Sequence, residues 1–425
     1  MTDYLKLRNA DEVAAMRRDP IDAEACPIAK SIVDDVRERG EAALREYAIE
    51  FGEISDGDGL FVRRDELHRA FDSIDSADQR LLRRVAERIR SFAAAQRESI
   101  REFETPVPGG RAGQTVAPVE RAGCYAPGGR FPLPSSVLMT VVTARVAGAG
   151  EVWVASPKPT DITLAAAYIA GADGLIAAGG AQAIAALAFG AGPVPGCDVV
   201  VGPGNKYVTA AKKIVSGSVG IDMLAGPSEL VVLADEGADA GVVAADLIGQ
   251  AEHDPDAVPI LVTTDASLVG RVNEGIARQV EKLSTGGDAS KAFENGFAVV
   301  ARDVAEAILI CDRIAPEHIE LQLKDAETVA TRLKNYGGLF VGARAAEVLG
   351  DYGAGPNHTL PTGGSARYTG GLSVINFLKV RTWTRIDDSA GAGVLIEDAV
   401  RLSEIEGLAG HAESARLRLT KKGDR

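Results

Sequence analysis

EVWVAS (151–156), TLAAAYIAG (163–171), GLIAAGG (174–180), AQAIAALAFG (181–190), CDVVVGPGN (197–205), KYVTAAKKIV (206–215) and LVVLAD (230–235) follow one another with little between them. The short apolar runs, closed by glycine or aspartate, read as buried strands. The longer alanine-rich runs read as helices. This strand–helix alternation predicts a parallel, doubly wound sheet. Downstream, PILVTTD (259–265), FAVVAR (297–302), IELQL (319–323) and GLFVG (338–342) are again strand-like runs separated by helical stretches, which predicts a second α/β unit in tandem. Upstream, DQRLLRRVAERIRSFAAAQRESI (78–100) has apolar residues at helical spacing within a charged, helix-rich first hundred residues. The Gly/Pro-rich passage 106–134 reads as a linker or as a loop lining a site. At the far end, IEDAVRLSEIEGLAGHAESARLRLTKKGDR (396–425) predicts an amphipathic helix with a basic tip.

The chain of 425 residues is 46% hydrophobic and only 5% aromatic, so it can fill the cores of two or more α/β domains. Its formal net charge of −14 repels nucleic acid and anionic membranes, and no dense Lys/Arg block relieves it. The four cysteines, Cys26, Cys124, Cys197 and Cys311, form no CxxC pair and read as reduced thiols. MTDYLKLRNADE carries no apolar signal-peptide core, and no apolar run is long enough to span a bilayer. A cytoplasmic protein is expected.

Four glycine turns stand at strand ends: APGG (126–129), AGGAQ (178–182), VGPGN (201–205) and AGPSE (225–229). Each alone makes a turn. Together, at the edge of one sheet, they suit a ligand crevice where phosphate approaches backbone N–H groups. GPGNKY lacks the third glycine of a dinucleotide fingerprint, and no Walker motif exists, so a nucleotide is allowed but not specified.

Of five histidines, His68 lies among charges on a helix and reads as a surface residue. His253 (GQAEHDP), His318 (IAPEHIEL), His358 (GDYGAGPNHTLPTGG) and His411 (EIEGLAGHAES) lie among Gly, Pro or acidic neighbours, as residues of sites on loops and helix ends do. Gln250 and His253 are three apart and share a helix face. With Asp351 and His411 they make a mixed N/O donor set that suits zinc, provided the segments converge. Glu317 and His318, an adjacent carboxylate and imidazole, suit acid–base work, because histidine titrates near neutral pH. Taken singly, each histidine reads first as a hydrogen-bonded structural residue.

These motifs collect into one pattern. GCYAPGG, GGAQAIAALAFG, GPGNKYVTAAK, IDMLAGPSE, DLIGQAEHDP, IAPEHIEL, GDYGAGPNHTLPTGG and EGLAGH span nearly the whole chain, which resembles the histidinol dehydrogenase family. The resemblance implies a homodimeric, zinc- and NAD-dependent oxidation of L-histidinol to L-histidine through the aldehyde, with two NAD⁺. It implies Gln250, His253, Asp351 and His411 as zinc ligands, with His411 and Glu406 reaching the neighbouring subunit's site. His318 is implied as general base and Glu317 as the group that activates water. Ser228, His358 and Glu406 are implied as substrate contacts beside His318 and the metal ligands, and Tyr125, Gln182 and Asn205 as NAD contacts. SARYTGGLSV (365–374) and Gly410 instead resemble relatives acting on another small alcohol, such as dihydroxypropanesulfonate. A non-catalytic binding protein would lack the acid–base pair or a ligand, and none is missing.

The expected architecture is two Rossmann-like domains, one inserted in the other. Residues 1–22 form a helical arm. Residues 23–124 with 229–375 form the metal domain, 125–228 the NAD domain, and 376–425 a helical tail swapped in the dimer.

Overall fold

The computed structural model describes residues 4–15, 20–128 and 131–419. Contacts divide the chain into two units, Met1–Ala95 with Val119–Phe377, and Gln96–Pro118 with Leu378–Arg425.

The first unit holds two six-stranded sheets. Sheet one runs, across its width, Phe61–Arg63, Gly174–Ile176, Glu151–Ala155, Arg121–Tyr125, Val199–Val201, Gly220–Ile221. All pairs are parallel except that of Phe61–Arg63, which lies antiparallel on the edge. Sheet two runs Lys6–Leu7, Phe297–Val300, Val258–Thr263, Glu229–Ala234, His318–Gln322, Gly338–Val341, all parallel. In both, the central strands follow the order third, second, first, fourth, fifth along the chain. This is the doubly wound order expected from the alternation.

Glu229–Ala234 and Val258–Thr263 are buried at every residue, as parallel strands covered on both faces must be. Leu230, Val232 and Ala234 join the core on one face, and Val231 and Leu233 join the core on the other. Aspartates start the crossover helices: Asp239 accepts from the Gly241 N–H at 2.7 Å, Asp265 from Ser267 at 2.9 Å and Asp303 from Glu306 at 2.9 Å.

Several expectations need correction. Residues 23–124 do not lie with sheet two. Phe61–Arg63 and Arg121–Tyr125 are strands of sheet one, and Ala25–Arg39, Glu41–Glu50 and Arg64–Ser73 pack on the helices of that sheet. Their apolar stripes cover the alanine-rich helices that the glycine-turn strands lead into. The arm is not purely helical, because Lys6–Leu7 adds a parallel edge strand beside Phe297–Val300. Nor does the tail begin as a helix.

In the second unit, Leu378–Ile386 pairs antiparallel with Gly110–Pro118 over nine residues, and Phe103–Val107 pairs on the other side. The passage 106–134 is thus partly strand, not linker. Gly393–Ile405 and Ala409–Arg416 are two helices in place of the single one expected. The basic tip, 420–425, lies outside the described residues.

Candidate active site

Both sheets offer an edge. Sheet one offers its carboxyl edge, where the chain leaves Tyr125, Ile176 and Val201 into glycine turns. Sheet two offers its amino edge. Ser228 immediately precedes Glu229–Ala234, and Glu317 precedes His318–Gln322, the strand paired with it through Leu230 and His318. The helix Ala240–Ala251 runs back from the far end of its strand, so Gln250 and the following His253 return to this amino edge. AGPSE links the two edges, running from Gly220–Ile221 of sheet one into Glu229 of sheet two. The edges also touch directly. Asn357 Nδ2 donates to the Met139 carbonyl at 2.8 Å, and His358 Nε2 lies 3.4 Å from Ser136 Oγ, in the first turn of Pro134–Ala147.

At the amino edge His318 is 4% exposed. Its Nδ1 lies 3.2 Å from the Glu229 carbonyl oxygen, which fixes the tautomer with the proton on Nδ1. Nε2 is left facing carboxylates, 3.9 Å from Glu347 Oε1 and 4.0 Å from Asp351 Oδ1. Burial pushes its pKa down to about 4, against the pull of Asp351. The ring is therefore neutral at physiological pH, with a lone pair directed at the cluster. Burial, with Glu229 and Asp351 nearby, raises the Glu317 carboxyl well above the usual range. Hydrogen bonds from the Glu229 N–H, at 2.9 Å, and from Ser228 oppose the shift.

His253 Nε2 lies 3.7 Å from Asp351 Oδ2. Asp351 closes the short helix Glu347–Asp351, and His358 Nδ1 holds its backbone carbonyl at 3.0 Å. Burial keeps His358 neutral as well. Gln250 is fully buried, and neither atom of its amide has a hydrogen-bond partner. A buried amide left so is costly unless something else binds it. The unpartnered Gln250 amide, with the His253 imidazole facing the Asp351 carboxylate, makes a donor set that fits a borderline divalent cation.

At the carboxyl edge Tyr125 is buried, and its hydroxyl accepts from the Gly180 N–H at 3.3 Å. Gln182 is buried with its Oε1 unpartnered. Asn205 caps Lys206–Val215, its Oδ1 accepting from Tyr207 at 3.0 Å and Val208 at 3.1 Å. Gly202 sits at φ +122, and a Cβ there would fall 2.0 Å from the Tyr125 carbonyl oxygen. That turn is clamped by a buried ion pair. Lys212 Nζ pairs with Asp222 and donates to the Gly202 carbonyl at 2.9 Å, and Asp222 accepts from the Gly202 N–H at 2.8 Å. Gln182 Oε1 is a buried acceptor without a partner beside the glycine turns, which fits a bound nucleotide.

The structure thus brings together Ser228, Glu317, His318, Asp351, His253 and His358 around one edge, and Tyr125 with Gln182 around the other. Glu406 and His411 belong to the second unit, where both are exposed. Sequence reasoning missed Glu229, whose Oε1 accepts from Gly363 at 3.0 Å. It also missed Glu320, fully buried with a pKa raised to about 8 by burial and by Asp246, and Glu347. Glu53 was missed too, and it binds both the Gly179 N–H at 3.0 Å and Gln182 at 3.2 Å. Two signals were legible: a glutamate inside the apolar strand IELQL, and Glu347 one helical turn before Asp351.

Known proteins resemble this chain over most of its length. A sequence model of the histidinol dehydrogenase family matches residues 16–419. Histidinol dehydrogenase of Thermus thermophilus is 45% identical over 396 residues, covering 92% of this chain and 94% of its own. That of Methanosarcina mazei is 42% identical, covering 91% and 90%. The crystal structure of histidinol dehydrogenase from Elizabethkingia anophelis superposes with a TM-score of 0.92 at 30% identity, covering 99% of each chain. Fold, edge chemistry and likeness together place this chain in the histidinol dehydrogenase family.

Proposed function

We propose that the protein oxidises L-histidinol to L-histidine through histidinaldehyde, with two NAD⁺ and one zinc ion per subunit. The observation that supports this most is His318: buried, neutral, fixed by Nδ1 on the Glu229 carbonyl, with Nε2 open toward Asp351 and Glu347. That is the arrangement of a general base. Gln250, His253 and Asp351 would hold the metal, with His411 of the partner subunit completing the set and Glu406 of the partner subunit touching substrate. Zinc, when bound, supplies a positive template for the substrate's nitrogen atoms, and NAD⁺ accepts the hydride. Tyr125, Gln182 and Asn205 would hold the nucleotide at the glycine turns.

The chain's own groups then divide the work. His318 Nε2 takes the hydroxyl proton as the alcohol is oxidised, passes it to solvent, and is then free to take a second from the aldehyde hydrate. Glu317, held by hydrogen bonds from Ser228 and the Glu229 N–H, orients and activates the water that hydrates the aldehyde. Burial raises the Glu317 carboxyl well above the usual carboxylate range, and a cation, when bound nearby, would favour its carboxylate form. Ser228 and His358 line the pocket and keep the aldehyde from bulk water. Sheet one would serve as the nucleotide domain and sheet two as the metal domain, with the tail exchanged between subunits of a homodimer.

The test is turnover. Purified protein with its metal retained, given NAD⁺ and L-histidinol, should form NADH, lose activity to a chelator and regain it with Zn²⁺. Absence of NADH from histidinol with metal bound would remove the assignment.

A further inference from the structure

The glycine turn AGGAQ (178–182) opens the helix Gly180–Phe189, and the first N–H groups of that turn are already taken. Glu53 Oε2 accepts from the Gly179 N–H at 3.0 Å and from Gln182 Nε2 at 3.2 Å, and the Tyr125 hydroxyl accepts from the Gly180 N–H. This turn therefore lacks the free donors that a phosphate needs, and it holds a carboxylate where the phosphate would lie. Burial raises the Glu53 carboxyl, while the two donated hydrogen bonds and Lys158 oppose that shift and favour the charged form. What stays open beside it are an acceptor and a hydroxyl. With Nε2 bound to Glu53, the Gln182 amide can offer a ligand only Oε1, which is buried without a partner. Ser156 Oγ, 1% exposed just after the neighbouring strand Glu151–Ala155, has no partner among the described residues either. Turn, strand end and carboxylate meet closely: a Cβ on Gly179 would lie 2.8 Å from Glu53 Oε1 and 2.8 Å from Pro157 Cβ.

We propose that Glu53 selects NAD⁺ over NADP⁺: its carboxylate, with Gln182 Oε1 and Ser156 Oγ, takes the hydroxyls of the adenosine ribose and excludes a 2′-phosphate. This rests on the nucleotide reading above and deepens it. A ribose diol brings two O–H donors to acceptors that have none. A 2′-phosphate brings acceptors and added negative charge. Set against Glu53 it meets like charge, and it leaves the buried Gln182 Oε1 unpaired. Dinucleotide folds commonly use an acidic side chain for this discrimination and carry it within the strand–helix–strand unit itself. Here the acid comes from the helical layer, just after Glu41–Glu50, and is delivered to the turn that follows the strand Gly174–Ile176.

The test compares nucleotide affinities without turnover. Purified protein, with no histidinol present, is titrated calorimetrically with NAD⁺, NADP⁺ and 2′-deoxy-NAD⁺. The native chain should bind NAD⁺ at least about a hundredfold more tightly than NADP⁺. It should bind 2′-deoxy-NAD⁺ about tenfold more weakly than NAD⁺, the scale of one lost hydrogen bond to a charged acceptor. Glu53→Gln keeps an acceptor for the Gly179 N–H and removes the charge, so the preference for NAD⁺ over NADP⁺ should narrow at least about tenfold. Glu53→Lys should narrow it further. Native affinities that are equal for NAD⁺ and NADP⁺, or equal for NAD⁺ and its 2′-deoxy form, overturn the proposal with no variant needed. So does a folded Glu53→Gln chain that keeps the native ratio or weakens both nucleotides alike, since Glu53 then only props Gln182. If the folded native chain binds none of the three, the nucleotide reading itself falls and takes this proposal with it.

Discussion

Sheets one and two have the same strand order and are built from the same kinds of apolar run, yet they offer opposite edges to the site with opposite chemistry. The carboxyl edge of sheet one carries glycine turns and the uncharged side chains Tyr125, Gln182 and Asn205, with one carboxylate, Glu53, on Gln182 and the Gly179 N–H. The amino edge of sheet two carries His318 among Glu317, Glu347 and Asp351, with Glu229 and Glu320 behind them. Topology decides where loops gather. What they gather is decided by a few polar residues placed against the apolar pattern. On the proposed reading, the glycine-turn edge would take the nucleotide and the edge of buried carboxylates would take the cation. Mutations should therefore separate cleanly, with sheet-two changes striking turnover and metal, and sheet-one changes striking NAD⁺ binding and stability.

The largest separation should come from His318→Asn. It removes the base and keeps the Nδ1-side hydrogen bond, so kcat should fall about a hundred- to ten-thousand-fold with metal content unchanged. Equal losses in kcat and metal content would merge base and metal functions and break the contrast. Next, Lys212→Met leaves Asp222 charged and buried under the Gly202 turn. Urea denaturation should show a loss of about 3–5 kcal/mol, and a smaller loss in the paired variant Lys212→Met, Asp222→Leu. Gln182→Ala should raise KM for NAD⁺ about tenfold, the scale of one lost hydrogen bond, and leave zinc affinity alone. A change in zinc affinity would show that the edges do not act separately.

The smallest effect concerns pH. Burial raises Glu320 from its ordinary 4.5 to about 8. The folded state then keeps a proton that the unfolded chain has lost. Stability present below about pH 4.5 is lost as pH rises toward 8. Metal-free Glu320→Gln should therefore gain stability relative to the native chain across that window, and parallel pH profiles would contradict it.

Much of this was legible in the sequence. The strand runs from EVWVAS to LVVLAD give their period and punctuation away, and both sheets follow from them. The domain partition was not legible. Helices such as Ala25–Arg39 and the three-residue strand Phe61–Arg63 carry amphipathic signals that do not say which sheet they cover. Nine residues of Leu378–Ile386 pair with a segment more than 250 positions away, a contact no local pattern encodes. The histidines stood out because they are few. Glu229, Glu320 and Glu347 did not, because a single glutamate in an apolar run reads as a solvated face until burial is known.

The central claim is that one buried imidazole at the amino edge of sheet two serves two successive oxidations of one bound substrate. Counting NADH formed per L-histidinol consumed, with histidinol limiting, tests it most directly. The account predicts two, with no free aldehyde trapped by added semicarbazide. One NADH per histidinol with aldehyde captured in solution, or none at all, would contradict it.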